Sequence, residues 1–583
     1  MDGLFRRQRI SLGILTCCTI AALVLLTSAG QAGGPGRDSL TLPMRGFHHE
    51  IPDNPFVPVD RSAMPTSPAY RLITPTFTSV QVNVDSLGRN IVGDAANEPT
   101  IAVDPTNPNR MAIGWRQFNT VTNNFRQAGY GYTTDAGQTW TFPGVIQPGI
   151  FRSDPVFDYD ADGNFYYNSL TTSGPDYLCD VFPSSTGGAS WGASTSAHGG
   201  DKQWMIIDKT RGQGDGNVYS FWTSNFSSCL PGFFTRSVNR NASYQSCVVI
   251  PGDPFWGTLA VGPSGELYIC GTSNVGIMIA KSSTAQDSNH AVTWDTTVAV
   301  NLDGDEVAFA GNNSPNPGGL HGQAWVAVDR SNGPYRGYVY VLCSVQRNSN
   351  SDPLDVMFAR STNGGRTWSS PVRVNDDIST TAWQWFGTMS VAPTGRIDAV
   401  WLDTRDNPGS VNSSLYYSYS TDAGVTWATN LRLSQAFDPH AGWPNQNKMG
   451  DYYHMVSDSS GAHLAWSATF GGEQNVYCGH VAFPLTGVNG GVSQTPSSFS
   501  LSQNYPNPFN PGTEIQFALP QASFVNLSVF NLLGEKVATI VSDHFAAGTH
   551  TVRWDAAGLP SGIYFYRLEA GTFVQTKRLV VLR

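Results

Sequence analysis

The polar and apolar positions of this chain alternate in short runs broken by glycine, asparagine and proline. Pro99 to Trp115 (PTIAVDPTNPNRMAIGW), Pro155 to Leu170 (PVFDYDADGNFYYNSL) and Trp256 to Gly271 (WGTLAVGPSGELYICG) each read as a strand, a tight turn and a second strand ending in aromatics. Alternation this brief, punctuated this often, predicts paired strands and not helices. Similar units begin near Lys202, Gln323, Phe386 and Asp451, making seven in all. The expected class is all-β.

A second repeat follows these units, with the pattern Ser/Thr-x-Asp/Asn-x-Gly-x-x-Trp. It stands as TTDAGQTW from Thr133, STNGGRTW from Ser361 and STDAGVTW from Ser420; SSTGGASW from Ser184 lacks only the acidic residue. Degenerate copies are SVNRNASY from Ser237 and an expanded one running from Ser283 through Asp287 to Trp294. The closing aromatics fall at 140, 191, 244, 294, 368 and 427, the spacing of a blade-by-blade array. An Asp or Asn oxygen can hold the turn's own N–H groups, glycine takes the backbone where a side chain is penalised, and tryptophan buries a large face between sheets.

These residues resemble the Asp-box (BNR) repeat of sialidase-like β-propellers. The resemblance implies a turn joining the third and fourth strands of a blade, away from the ligand, so Asp135, Asn363 and Asp422 are expected to be structural. The seventh unit, Asp451 to Phe483, has three strands and no box. SVQVNVD (Ser79 to Asp85) resembles the post-box strand PVRVNDD (Pro371 to Asp377) and can supply the fourth, removing an exposed edge. Seven blades are favoured and six are the alternative, six being the number in sialidases.

The expected organisation is a signal peptide over 1–32, an extension over 33–73, the propeller over 74–485, a linker over 486–498 and a small Ig-like β-sandwich over 499–583. The signal reading rests on Arg6, Arg7 and Arg9 ahead of the apolar stretch Ile10 to Leu26, with small residues up to Ala32. NYPNPFNP, LLGEKV, SGIYFYRL and the terminal KRLVVLR resemble a type IX secretion sorting domain. That resemblance implies the secretion machinery as a partner, export across the inner and outer membranes of a Gram-negative bacterium, and release or surface attachment. A net charge of -10 with no basic run argues against nucleic acid. The six cysteines beyond the leader permit disulfides, Cys229 and Cys247 being the pair nearest in sequence. A monomer is expected.

Candidate chemistry follows from the topology. The start of each innermost strand faces the central funnel, and aligning the units places Glu98, Asp154, Lys202, Trp256, Gln323, Phe386 and Asp451 there. Carboxylates on one wall and aromatics on the other suit a glycan or glycoprotein ligand. Glu98, Asp154 and Asp451 are the candidate acid/base groups. Arg116, Arg347, Asp403 and Arg405, on loops expected to open on the same side, are candidate substrate contacts with Lys202, Trp256, Gln323 and Phe386. Resemblance to sialidases makes exo-sialidase-like hydrolysis one expectation, although the Arg-Ile-Pro signature is replaced by FRSDP (Phe151 to Pro155) and no Tyr/Glu pair stands out. The other is a non-catalytic surface propeller recognising glycan or protein. No cofactor is required; calcium is compatible with the carboxylates, and DYDADGN (Asp158 to Asn164) has the look of a calcium loop without its distal Glu.

Overall fold

The computed structural model describes residues 54–483 and 499–582, apart from 175, 505, 546 and 547. The segments expected to be a signal peptide and a linker, and the first part of the expected N-terminal extension, lie outside the described residues. The chain divides into two units, Met1–Thr486 and Gly487–Arg583.

Among the described residues of the first unit, seven antiparallel sheets of three or more strands succeed one another along the chain, beside a two-stranded pairing of Thr66–Pro68 with Arg89–Ile91. Their first strands are Ala95–Val103, Ser153–Tyr159, Trp204–Ile207, Leu259–Val261, Trp325–Val328, Gln384–Val391 and His454–Ser457. Each first strand neighbours the next, and the seventh neighbours the first, so the sheets form a closed ring. Phe77–Gln81 pairs antiparallel with Asn475–Ala482 and adds the fourth strand of the last sheet, with Arg71–Ile73 paired beyond it. The pairing runs on past that strand: Val82 N–H donates to Val476 O, and Asn83 donates to Asn475 over 2.7 Å.

The repeated turns follow the third strand of their sheets and share one hydrogen-bond scheme. In the first, the Gly137 N–H donates to the Thr133 hydroxyl and the Thr139 N–H to Asp135 over 2.9 Å. The same bonds recur at Asn363 and Asp422. Where the acid is missing, the Thr186 hydroxyl takes its place, and Asn239 does so in the degenerate third copy. In the expanded copy Thr284 accepts from Thr293 N–H over 2.8 Å, while Asp287 pairs with His290. The turn there centres on Thr284, not on Asp287, because the hydroxyl sits two residues beyond the end of the preceding strand, as Asp135 does in the first copy. The turn glycines lean on the sheet before their own: a Cβ on Gly188 would lie 2.7 Å from Ala112 and one on Gly424 2.1 Å from Phe358. Aromatics fill the seams between sheets, as where Tyr130 of the first meets Trp191 of the second at 5.8 Å.

Cys229 and Cys247 form a disulfide, whereas Cys179, Cys270, Cys343 and Cys478 are buried free thiols. The second unit is a pair of antiparallel sheets of three and four strands. Alternate residues such as Ile515, Phe517, Leu527, Val529, Tyr566 and Leu579 fill its core, as period-two patterning requires.

Candidate functional site

Where the first strands begin, the backbone is held in an unusual conformation. Glu98, Asp154, Lys202, Trp256 and Phe386 have φ between 45° and 57°, the left-handed region that side chains ordinarily avoid. Register shifts accompany this at Asn97/Thr100 and Trp385/Thr388, so these strands enter the ring through a bulge that redirects one side chain. Five of the seven aligned positions thus share one backbone device.

Cross-sheet bonds fix the equivalences. The Thr100 hydroxyl accepts from Phe157 N–H, and the Thr258 hydroxyl accepts from Val326 N–H. In the seventh sheet His454 Nδ1 accepts from Ile101 N–H. Counting back two residues from each acceptor gives Glu98, Trp256 and Tyr452. The sequence alignment is therefore one residue early in this sheet, and Asp451 reaches the cluster from the residue before.

Three carboxylates and three cations meet at this end of the ring. Lys202 Nζ lies 2.5 Å from Asp451 Oδ2 and 3.9 Å from Asp154 Oδ2. Lys448 Nζ lies 2.9 Å from Asp451 Oδ2 and 4.0 Å from Glu98 Oε1. Arg116 Nε is 3.0 Å from Glu98 Oε2 and donates to Asn97. Asp451 also accepts from Leu320 N–H over 2.8 Å, and Asp154 accepts from Lys202 N–H over 3.1 Å. The six side chains are all at most 4% exposed. An open funnel is not what these residues form; the loops carrying Asn316 to Leu320 and Gln446 to Gly450 close over them, Asn316 donating to Gly450 O over 2.8 Å.

Burial pushes the Glu98 carboxyl up to about 8 against the pull of Arg116. Burial opposes the charge of Asp451 as well, but Lys202 and Lys448 outweigh it and hold that carboxyl well below the usual range, with Glu98 hydrogen-bonded to it. Near neutrality Glu98 is therefore neutral beside an ionised Asp451. Beside it, His321 is buried and stacked 5.1 Å from Trp383, and burial holds its imidazole down to about 3.

The remaining candidates are dispersed. Gln323 is buried, Trp256 is half-buried against Phe255 and Phe309, and Phe386 packs between Trp385 and Tyr453. Arg347 pairs with Asp303 and Asp355, and Arg405 pairs with Asp376, Asp377 and Asp403 while stacking on Tyr416. Those arginines belong to a second ionic network on the fifth and sixth sheets. Arg152, of the FRSDP string, is buried against Asp180 and Phe182. Sequence reasoning missed Lys448, in a loop without periodicity, and Glu306, whose buried carboxyl lies 3.6 Å from the Cys343 thiol.

Toward the other ends of the first strands lies a cavity of about 200 Å³ lined by Trp204, Leu259, Trp325, Val328, His454 and Met455 among others. His454 stacks on Trp325 at 5.8 Å, and burial holds its imidazole down to about 3. In the calcium-like string, Asp160 accepts from Asp162 and Asn164 N–H groups and Asp162 pairs with Arg211 and Arg240, so both acids shape or brace a hairpin turn. Among the described residues, three metal-type side chains with ligand atoms within 4.8 Å of one another occur only at His198, Cys229 and Cys247, two of which are joined in the disulfide.

Residues 503–582 match the family model described as the secretion system C-terminal sorting domain. This tail marks the chain for type IX export, to the cell surface or beyond. No curated protein matches the chain. Similar solved structures include a protein of unknown function from Dyadobacter fermentans DSM 18053, 14% identical with a TM-score of 0.40, covering 70% of this chain and 100% of that one. The phage phi92 endosialidase is 8% identical with a TM-score of 0.39, covering 81% and 75%. A Trypanosoma rangeli sialidase is 11% identical with a TM-score of 0.34, covering 87% and 89%. Likeness this distant carries no activity across.

Proposed function

We propose that this chain is an exported propeller that recognises glycan without turning it over. The observation that carries the non-catalytic part is the enclosure of the axial carboxylates. Asp451 is engaged by two lysines and a backbone N–H, Asp154 by Lys202 and Ser153, and Glu98 by Arg116, all under closed loops. Most glycosidases need two carboxyl groups facing a sugar with room for it between them, and sialidases use a tyrosine in place of one. Here the cluster is an enclosed plug of ion pairs that fixes the loops around one end of the ring. The glycan part rests on the resemblance of the repeated turns to sialidase-like propellers and on the charged, partly open loops of the fifth and sixth sheets.

One observation favours hydrolysis as a second reading. Glu98 is neutral near pH 7 beside an ionised Asp451, the division of labour of an acid and its partner carboxylate. It requires the loops over the cluster to lift.

The test is to incubate the exported protein with fluorogenic sialosides and other glycosides, and to probe it on immobilised glycans. Saturable binding without product is expected. Product formation lost in Asp451→Asn and Glu98→Gln establishes the second reading, and neither binding nor product sinks the glycan assignment.

A further inference from the structure

The second ionic network, at the junction of the fifth and sixth sheets, holds more acid than base. Leu354 and Trp383 bridge there, bringing the loop ahead of Asp355–Ser361 against the crossover that leads into Gln384–Val391. Among the described residues, the ion pairs of Asp303, Asp355, Asp376, Asp377 and Asp403 run to Arg347, Arg373 and Arg405, and Asp352 lies within the pull of Arg373.

Most of the acceptors are in use. Asp355 takes Asn375 Nδ2 over 2.6 Å and Arg347 over 3.2 Å, and Asp403 takes Arg405 and the Trp401 indole. Asp352 differs. It is 1% exposed, and neither of its oxygens has a hydrogen-bond partner. Asp377 Oδ2 is likewise buried without one, although Oδ1 of the same residue accepts from Asn375 over 2.7 Å. A buried carboxylate without donors is costly, and burial, aided by Asp355 and Asp377, pushes Asp352 up to about 7. Three carboxylate oxygens with nothing to accept, in a region three negative charges in excess, are hard ligands lacking a hard cation.

We propose that Asp352 and Asp377 bind a calcium ion that ties the fifth sheet to the sixth. Asp352 supplies both oxygens and Asp377 its Oδ2, with backbone carbonyls and water completing an oxygen shell; Asp355 and Asp403 stay with their arginines and frame the site. The proposal is independent of what the axial cluster does, since none of these residues touches Glu98 or Asp451 in the ion pairs described.

The experiment uses the full chain, stripped with chelator and titrated with calcium chloride. Bound calcium is counted after gel filtration and the melting temperature is followed. One ion per chain and a rise of about 3 °C at calcium one hundred-fold above its dissociation constant are expected. Asp352→Asn should lose both the ion and the rise, while melting in chelator at or above the wild-type temperature because a crowded carboxylate is gone. Asp377→Asn, at a less buried position, should weaken binding and provides the readout if the first variant fails to fold. Wild type without bound calcium and with unchanged melting, or both variants retaining calcium at wild-type affinity, overturns the proposal.

Discussion

Glu98→Gln should remove a pH dependence of stability that the wild type owes to its axial cluster. Glu98 has an ordinary value of 4.5 and is raised to about 8 in the folded chain. The folded state therefore holds a proton over an interval in which the unfolded state has released it. The stability contributed is fully present below about 4.5 and is lost as pH climbs toward 8, at about 1.4 kcal/mol per unit. Between pH 6 and pH 8 the loss is about 2 kcal/mol, the last part of the interval flattening as Glu98 ionises. Glutamine mimics the neutral acid: its amide can donate to Asp451 as the carboxyl does, and it has no proton to lose. Asp94, raised by burial to about 6, and Asp352, raised to about 7, tilt both proteins in the same direction. The difference between wild type and variant isolates Glu98. Chemical denaturation at pH 6, 7, 8 and 9 measures it. The variant should be the less pH-sensitive by about 2 kcal/mol over pH 6 to 8. Parallel curves refute the reasoning, because they place Glu98 ionised and paired with Arg116 throughout.

Two further perturbations test the frame. Gly424→Ala places a Cβ 2.1 Å from Phe358 at a φ of 76°, and should cost about 2–4 kcal/mol in denaturation, combining overpacking with a left-handed backbone. Gly409→Ala, at a φ of 77° with nothing within 4 Å, should cost only the backbone share of about 1 kcal/mol, and equal losses at both sites refute the packing account. Replacing Cys229 by serine opens a loop closed across 18 residues and should cost about 3 kcal/mol, read as a drop in denaturation midpoint that reducing agent reproduces in the wild type.

How much of this was legible follows from where the information sits. The repeated turns could be read because each is a local bargain: a short polar side chain satisfies N–H groups within four residues, so sequence and structure coincide even where threonine replaces aspartate at Thr186. The closing strand at Phe77–Gln81 was legible through its likeness to a strand of another blade. The axial residues were legible as a set, since bulged strand entries recur at equivalent places, but not their fate. Lys448 and the loop around Asn316 come from irregular segments, and only the folded ring shows that they seal what a repeat alignment leaves open. Asp451 misaligned by one residue because Gly450, with a φ of 99°, changes how the seventh strand enters. Arg347 and Arg405 looked like ligand clamps because sequence cannot show that Asp355 lies on the strand beside Arg347 and Asp376 across a sheet junction from Arg405.

The strand that completes the last sheet has a consequence for the order in which the molecule can be assembled. Phe77 pairs with Val481 and Gln81 with Tyr477, a span of roughly four hundred residues between hydrogen-bonded partners. Every other seam joins sheets that are consecutive along the chain and can form as the chain lengthens; this one waits for the final strand. Until it closes, the last sheet exposes the unpaired edge of Asn475–Ala482, the condition under which strands from different molecules pair with each other. Closure of so distant a contact is slow compared with hairpin formation. A chain marked for export thus keeps its last sheet open until the final strand pairs, and loss of either strand of that pair leaves an aggregation-prone sheet stack where the intact molecule has a ring.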